Sequence, residues 1–239
     1  MLSDIVSAGQ VVEMQPVNRE EGTEGEKKVY RTKVFDVLSE DQVEIMMPIE
    51  KGKVVLLPVD GEFDLCFYAD KALYQCFARV LDRYKSNNVY IVVMELTSNL
   101  RKHQRREYYR FSCALDMDSR ELKTEEVSAV EQHQLYLVPG LSLKHSVIVD
   151  ISGGGLRFIA DYSYDVGSMI YCTYHLNMKG GSKEYNLVGK VLSRKEIEDK
   201  PGTYEHRVQY VNMDADVREE IIKFIFEEER RQRHKATSK

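Results

Sequence analysis

The sequence predicts an all-β protein built as two small β-barrels with one C-terminal α-helix. Three observations carry this. Short runs of alternating apolar and polar residues recur between turn signals, the pattern of a barrel or sandwich. Residue usage suits strands, with 15 Tyr, 8 Phe, many Val and Ile, and only 5 Pro. The alternation breaks at a polar stretch, residues 97–104, and again at the C-terminus, where the apolar period becomes helical.

Taken in order, strands are expected at 10–15, 29–38, 43–47, 54–59, 63–69, 73–84 and 89–96. The polar, Gly-containing segment 18–28 reads as a hairpin loop, and Asn87-Asn88 as a tight turn. These strands form the first domain, residues 1–96, with 97–104 (TSNLRKHQ) as linker and 105–239 as the second domain. Second-domain strands are expected at 108–115, 146–150, 155–160, 169–176, 185–194 and 204–211. The charged segment 116–144 holds either an extra hairpin or a helix; its pattern does not choose between them. Val217, Ile221, Phe224 and Ile225 recur at helical spacing, with Asp214 or Asp216 as N-cap and Glu219 and Glu220 in the early turns. This apolar face should dock on a barrel, and the charged tail beyond Phe226 should fray.

Composition narrows the function. The chain of 239 residues carries 34 Lys and Arg against 39 Asp and Glu, a net charge of −5. A general nucleic-acid binder needs excess cation on one face, so this balance argues against one. No apolar run is long enough for a transmembrane helix, and Asp4 stands where a secretory signal would carry a cation. A cytoplasmic location without membrane insertion is expected. Cys66, Cys76, Cys113 and Cys172 are scattered among strand residues with no CxxC pair, which favours buried free thiols over zinc or disulfides. The six histidines form no metal motif, and no GxSxG, Walker A or GxGxxG sequence is present. The chain therefore offers no catalytic set, no metal site and no resident cofactor.

Two segments stand out. In QRREYYRF, Arg105, Arg106 and Arg110 crowd the junction of linker and strand, and in an extended strand Arg106 and Arg110 share a face. Guanidinium forks bind phosphates and read the O6/N7 edge of guanine, at roughly 1–3 kcal/mol per bidentate contact. The plainer alternative is a basic strand end answering carboxylates such as Glu107. In VDISGGGLRF, Asp150 and Ser152 precede Gly153, Gly154 and Gly155. Consecutive glycines suit either a positive φ or close approach of a ligand to the backbone. Asp150 is an acceptor for the N1–H and N2–H₂ donors of guanine, and Ser152 donates or accepts. Here the plainer alternative is a hairpin turn whose polar side chains bond their own backbone.

Together, Arg106-x-x-x-Arg110 and Asp150-x-Ser152-x-x-Gly155 resemble the two-part signature of the PilZ domain, a family of cyclic di-GMP receptors. The N-terminal barrel before QRREYYR, and the closing RVQYVNM…REEIIKFIFEEERR, resemble flagellar brake proteins of the YcgR type across essentially the whole chain. The long segment 116–146 between the two motifs departs from many PilZ domains.

The resemblance implies that Arg105, Arg106 and Arg110 grip guanine edges and phosphates while Asp150 and Ser152 hold a guanine close to the glycines. An Arg directly before the RxxxR motif implies an intercalated ligand dimer, hence two cyclic di-GMP molecules per chain. Its phosphates exceed three arginines in charge, which makes Arg101, Lys102 and Arg157 candidate additions. Binding would then reorient the two barrels, with the flagellar motor (rotor switch or stator) as partner and the basal body as the place of action. A cyclic di-GMP receptor controlling exopolysaccharide or secretion is the alternative output. A nucleic-acid-binding β-barrel regulator is the alternative class, and net charge disfavours it.

Overall fold

A computed structural model describes residues 2–17, 28–69, 72–134, 136–178 and 180–237. The expected hairpin loop at 18–28 lies, apart from Lys28, outside the described residues. The chain divides into two compact units, Met1–Arg105 and Arg106–Lys239.

The first unit opens with a 3₁₀ turn, Leu2–Asp4. Among the described residues nine strands follow: β1 (Val11–Pro16), β2 (Tyr30–Val37), β3 (Gln42–Met46), β4 (Ile49–Glu50), β5 (Lys53–Val54), β6 (Glu62–Ala69), β7 (Ala72–Ser86), β8 (Val89–Leu96) and β9 (Arg101–His103). A closed barrel runs in the order β6-β1-β2-β3-β8-β7 and shuts through β6–β7 pairing, while β4 and β5 pair separately. Closure pairs the barrel strands on both sides, although the first part of β7 runs beyond β8. Alternation fills the interior: Phe63, Leu65 and Phe67 of β6 face inward with Val12, Met14, Ile45 and Met94. The β7–β8 turn is Asn87-Asn88, both at positive φ (44° and 65°), as a two-residue hairpin demands.

Two expectations are corrected here. The strand at 54–59 shrinks to the short β5, because Pro58 has no N–H for a ladder and only Leu57 of that run is buried. Part of the polar linker is ordered as β9, which pairs with β7 through Leu73–His103, Tyr74–Lys102 and Gln75–Arg101. Such an edge strand is held by backbone bonds, so polar side chains do not oppose it.

The second unit contains β10 (Phe111–Glu121), α1 (Thr124–Glu131), β11 (Lys144–Ser152), β12 (Gly155–Ala160), β13 (Met169–Met178), β14 (Gly181–Glu196), β15 (Tyr204–Val211) and α2 (Ala215–Thr237). Its six barrel strands close in the order β10-β11-β12-β15-β14-β13. Ile148, Phe158, Ile170, Tyr174 and Val208 are among the residues filling it. Ile221, Phe224 and Ile225 of α2, backed by Val217, join this core, so the apolar stripe docks on the second barrel. Asp214 precedes the helix and its carbonyl accepts the Arg218 N–H at 3.0 Å. The charged tail, where fraying is expected, is helical: α2 continues to Thr237, with Glu228–Arg231 and Glu229–Arg233 pairs along its surface.

The segment 116–144 resolves into the far half of β10 and α1. Arg120 donates to both carboxylate oxygens of Glu126, at 2.7 and 2.5 Å. The same carboxylate accepts the backbone N–H groups of Lys123 (2.6 Å) and Val138 (2.7 Å). Glu126 is fully buried. The Arg120 guanidinium holds its pKa down to about 2 against the cost of burial, with the two backbone donors helping. Leu122, Val130 and Val188 form a small apolar cluster beneath the segment. The segment is therefore tied to its own barrel.

Candidate ligand site

The strand expected at 108–115 begins only at Phe111, so residues 106–110 form a non-strand approach to β10. The face-sharing argument for Arg106 and Arg110 does not apply. Register replaces it: Phe111 pairs with Ile151 and Ser112 with Asp150, so Arg110 enters the barrel at the end where β11 turns into β12. That turn is the second motif, because Ser152 pairs with Gly155 across it. The fold thus brings both motif segments of the second unit to one barrel end.

Within the turn, the Ser152 hydroxyl donates to the Gly155 carbonyl (3.0 Å) and accepts from the Gly154 N–H (3.3 Å). This is the plainer turn role, and it leaves the turn preshaped. None of the three glycines has positive φ. Close approach explains them instead, from two sides. A Cβ on Gly155 would stand 2.1 Å from the Val208 carbonyl oxygen on β15. A Cβ on Gly153 would meet the Tyr108 ring at 2.7 Å and Ile222 at 2.9 Å, and one on Gly154 would meet the Tyr108 ring at 2.9 Å. Gly155 thus serves strand packing, whereas Gly153 and Gly154 present bare backbone to an aromatic ring.

Asp150 is bound by Arg157, Nε to Oδ2 at 3.0 Å, and Arg157 also donates to Glu205 at 2.6 Å. Burial lowers the Arg157 pKa, but its bonds to Glu205 and Asp150 outweigh that and raise it overall. Arg157 is therefore the partner of Asp150, and its charge is already divided between two carboxylates. Arg110 is exposed and forms no ion pair with a described residue. Arg106 is exposed as well.

The remaining candidates belong to the first unit. Arg105 donates to Glu13 (2.7 Å) and to the Tyr68 hydroxyl (2.7 Å), and its guanidinium stands over the Tyr68 ring at 5.2 Å. Arg101 and Lys102 lie exposed on β9. The structure places these cations in the first unit and Arg106, Arg110, Asp150 and Ser152 in the second.

Sequence reasoning missed three participants in the second unit. Tyr108 covers the glycine turn. Arg218 on α2 donates to the Tyr108 hydroxyl (3.1 Å) and to the Gly153 carbonyl (3.0 Å). Glu205 completes the Arg157 pair. One signal was present: Arg218, Ile222 and Phe226 recur every fourth residue, a second stripe beside the core-facing one. The cysteines offer no reactive thiol. Burial raises all four, with Cys76, Cys113 and Cys172 pushed up to about 12. Among the described residues no helix is long and apolar enough to cross a membrane.

A preshaped turn at the barrel end that the exposed Arg110 also enters, with a half-buried carboxylate acceptor, suits an anionic ligand carrying guanine-like donors. Comparison with known proteins agrees in class. A family model described as "PilZ domain" matches residues 99–227, and one described as "Flagellar protein YcgR" matches residues 8–96. The chain belongs to the PilZ domain family, as a two-barrel member of the YcgR-like kind. No curated protein matches the sequence. Among solved structures, the chain resembles the Bacillus subtilis inhibitor of motility (MotI/DgrA), at 17% identity and a TM-score of 0.71, covering 96% of this chain and 99% of that one. It also resembles Escherichia coli YcgR, solved in complex with c-di-GMP, at 16% identity and a TM-score of 0.51, covering 99% of this chain and 91% of that one. At these identities the likeness is one of fold.

Proposed function

We propose that this protein is a cyclic di-GMP receptor that changes the orientation of its two barrels on binding and so regulates flagellar motility through the motor. The observation that carries the reading is the register Phe111–Ile151 with Ser152–Gly155, which brings both halves of the PilZ signature to one barrel end. In this reading Arg106 and Arg110 bind guanine edges and phosphates, Asp150 accepts from a guanine, and Ser152 keeps the turn in shape. Gly153 and Gly154 offer the bare surface on which the base lies.

Arg105 immediately precedes the motif, and we assign it to a second, intercalated ligand molecule, giving two per chain. To reach it, Arg105 leaves Glu13 and Tyr68. An exposed ion pair of this kind contributes only about 0–1 kcal/mol, so the exchange is inexpensive. Arg105 and Arg106 are consecutive but fall in different units. A ligand engaging both therefore shifts the population of interdomain orientations toward the one it binds better. The partner is the rotor switch or the stator, reached at the flagellar basal body. The structural neighbour described as an inhibitor of motility supports carrying a braking role to this chain.

Solution X-ray scattering with and without cyclic di-GMP, beside pull-down of rotor and stator proteins, tests this. Ligand-dependent change in both is expected. An unchanged scattering curve together with unaltered partner binding would rule the mechanism out.

A further inference from the structure

Tyr108 lies where the proposed ligand would go. Its ring rests on the backbone of Gly153 and Gly154, close enough that a Cβ at either would stand 2.7 or 2.9 Å from it. A guanine laid on the same glycines needs the same surface, and two flat rings cannot share it. Tyr108 is also fastened. Arg218 bridges its hydroxyl and the Gly153 carbonyl, and the Arg218 guanidinium stands 5.2 Å from the ring centre. Its neighbour Tyr109 stacks on Phe226 (centroids 6.5 Å apart, planes 17° apart) and donates to Glu229 at 3.2 Å. Both tyrosines between Arg106 and Arg110 are thus strapped to α2.

We propose that Tyr108 and Arg218 form an affinity-setting latch: Tyr108 occupies the glycine turn, Arg218 holds it there, and ligand must displace the ring. The inference rests on the receptor reading above and adds to it what sets the affinity. The latch divides the protein into closed and open populations, and the apparent dissociation constant is the intrinsic one divided by the open fraction. A latch open about one-tenth of the time weakens binding about tenfold. Linkage makes the effect reciprocal, so ligand loosens this face of α2. Occupancy of the site is thereby reported to Arg218, Ile222 and Phe226.

The test is calorimetric titration of cyclic di-GMP into the full chain and into Tyr108→Phe, Tyr108→Ala and Arg110→Ala. Amide exchange at Gly154 in the ligand-free proteins reads the latch directly. Tyr108→Phe keeps the ring and removes only the hydroxyl, with its bonds to Arg218 and Glu107, so it guards against misfolding of the alanine variant. The expected result is binding about tenfold tighter in Tyr108→Ala and several-fold tighter in Tyr108→Phe, with faster Gly154 exchange in both. Binding by Tyr108→Ala where wild type shows none would support the latch still more strongly. Wild-type binding that Arg110→Ala abolishes, but that Tyr108→Ala leaves equal or weaker, overturns the latch and spares the receptor. Absence of binding in folded wild type and both Tyr108 variants overturns the receptor reading, and the latch with it.

Discussion

Gly155 is the position where the signature and the fold compete for explanation, and Gly155→Ala separates them. The new Cβ would sit 2.1 Å from the Val208 carbonyl oxygen and 3.1 Å from both the Val208 carbonyl carbon and the Gln209 Cα. All three are backbone atoms, so no side chain can swing aside. Relieving the contact requires β15 to retreat from β12 by about 1 Å. A bond of ordinary length, about 2.9 Å, then stretches beyond hydrogen-bonding range. Gly155 faces Gln209 between two bonding positions: the Tyr210 N–H donates to the Gly154 carbonyl at 3.0 Å on one side, and Leu156 pairs with Val208 on the other. Loss of two such bonds in a closed barrel, each leaving partly buried groups unmatched at about 1–3 kcal/mol, sums to roughly 2–6 kcal/mol. Gly154→Ala is the control. It meets only the Tyr108 ring at 2.9 Å, which can move, so its cost stays below about 1 kcal/mol. Urea unfolding of both variants, monitored on the full chain, reads the difference. A Gly155→Ala protein as stable as Gly154→Ala would refute the packing argument and return Gly155 to a purely ligand-facing role.

Glu126→Gln leaves the Arg120 guanidinium buried without its anion, and a loss of about 3–5 kcal/mol is expected, measured as a lower unfolding midpoint of the second barrel. Because the folded-state pKa of Glu126 is depressed to about 2, its contribution is complete above the unfolded value of 4.5 and disappears as pH falls through 2. His206 works in the same pH direction through the opposite charge. Burial, with the nearby Arg194 charge assisting, lowers its pKa from 6.5 to about 4. Its ring is fully buried, stacked on Phe158 and accepting the Tyr164 N–H at 3.0 Å. The unfolded chain therefore binds the proton better, and stability complete above pH 6.5 drains away toward pH 4. Between pH 8 and 5 this amounts to about 2 kcal/mol, and His206→Gln should flatten that slope in urea titrations.

Much of the fold was legible in period-2 alternation. Strands such as β6 and β13 bury every second residue, so their faces follow from the sequence. The approach to β10 misled because Tyr108 and Tyr109 are strand formers by composition. They pack on α2 instead, and that contact spans more than a hundred residues of sequence. β9 was missed because an edge strand needs only backbone partners. The order in the segment 116–144 hangs on Arg120 and Glu126, whose pairing is invisible until the strand and helix are built. For the site, the motif residues themselves were readable. What covers them was not: the glycines pointed to close approach, but not to Tyr108 as the group approaching.

Isothermal titration of cyclic di-GMP into the intact protein, beside Arg106→Ala and Arg110→Ala, tests the central claim most directly. The account predicts saturable binding with two ligands per chain, lost in either variant while both remain folded. A folded wild-type protein that takes up no cyclic di-GMP, with Tyr108→Ala equally inert, would contradict it.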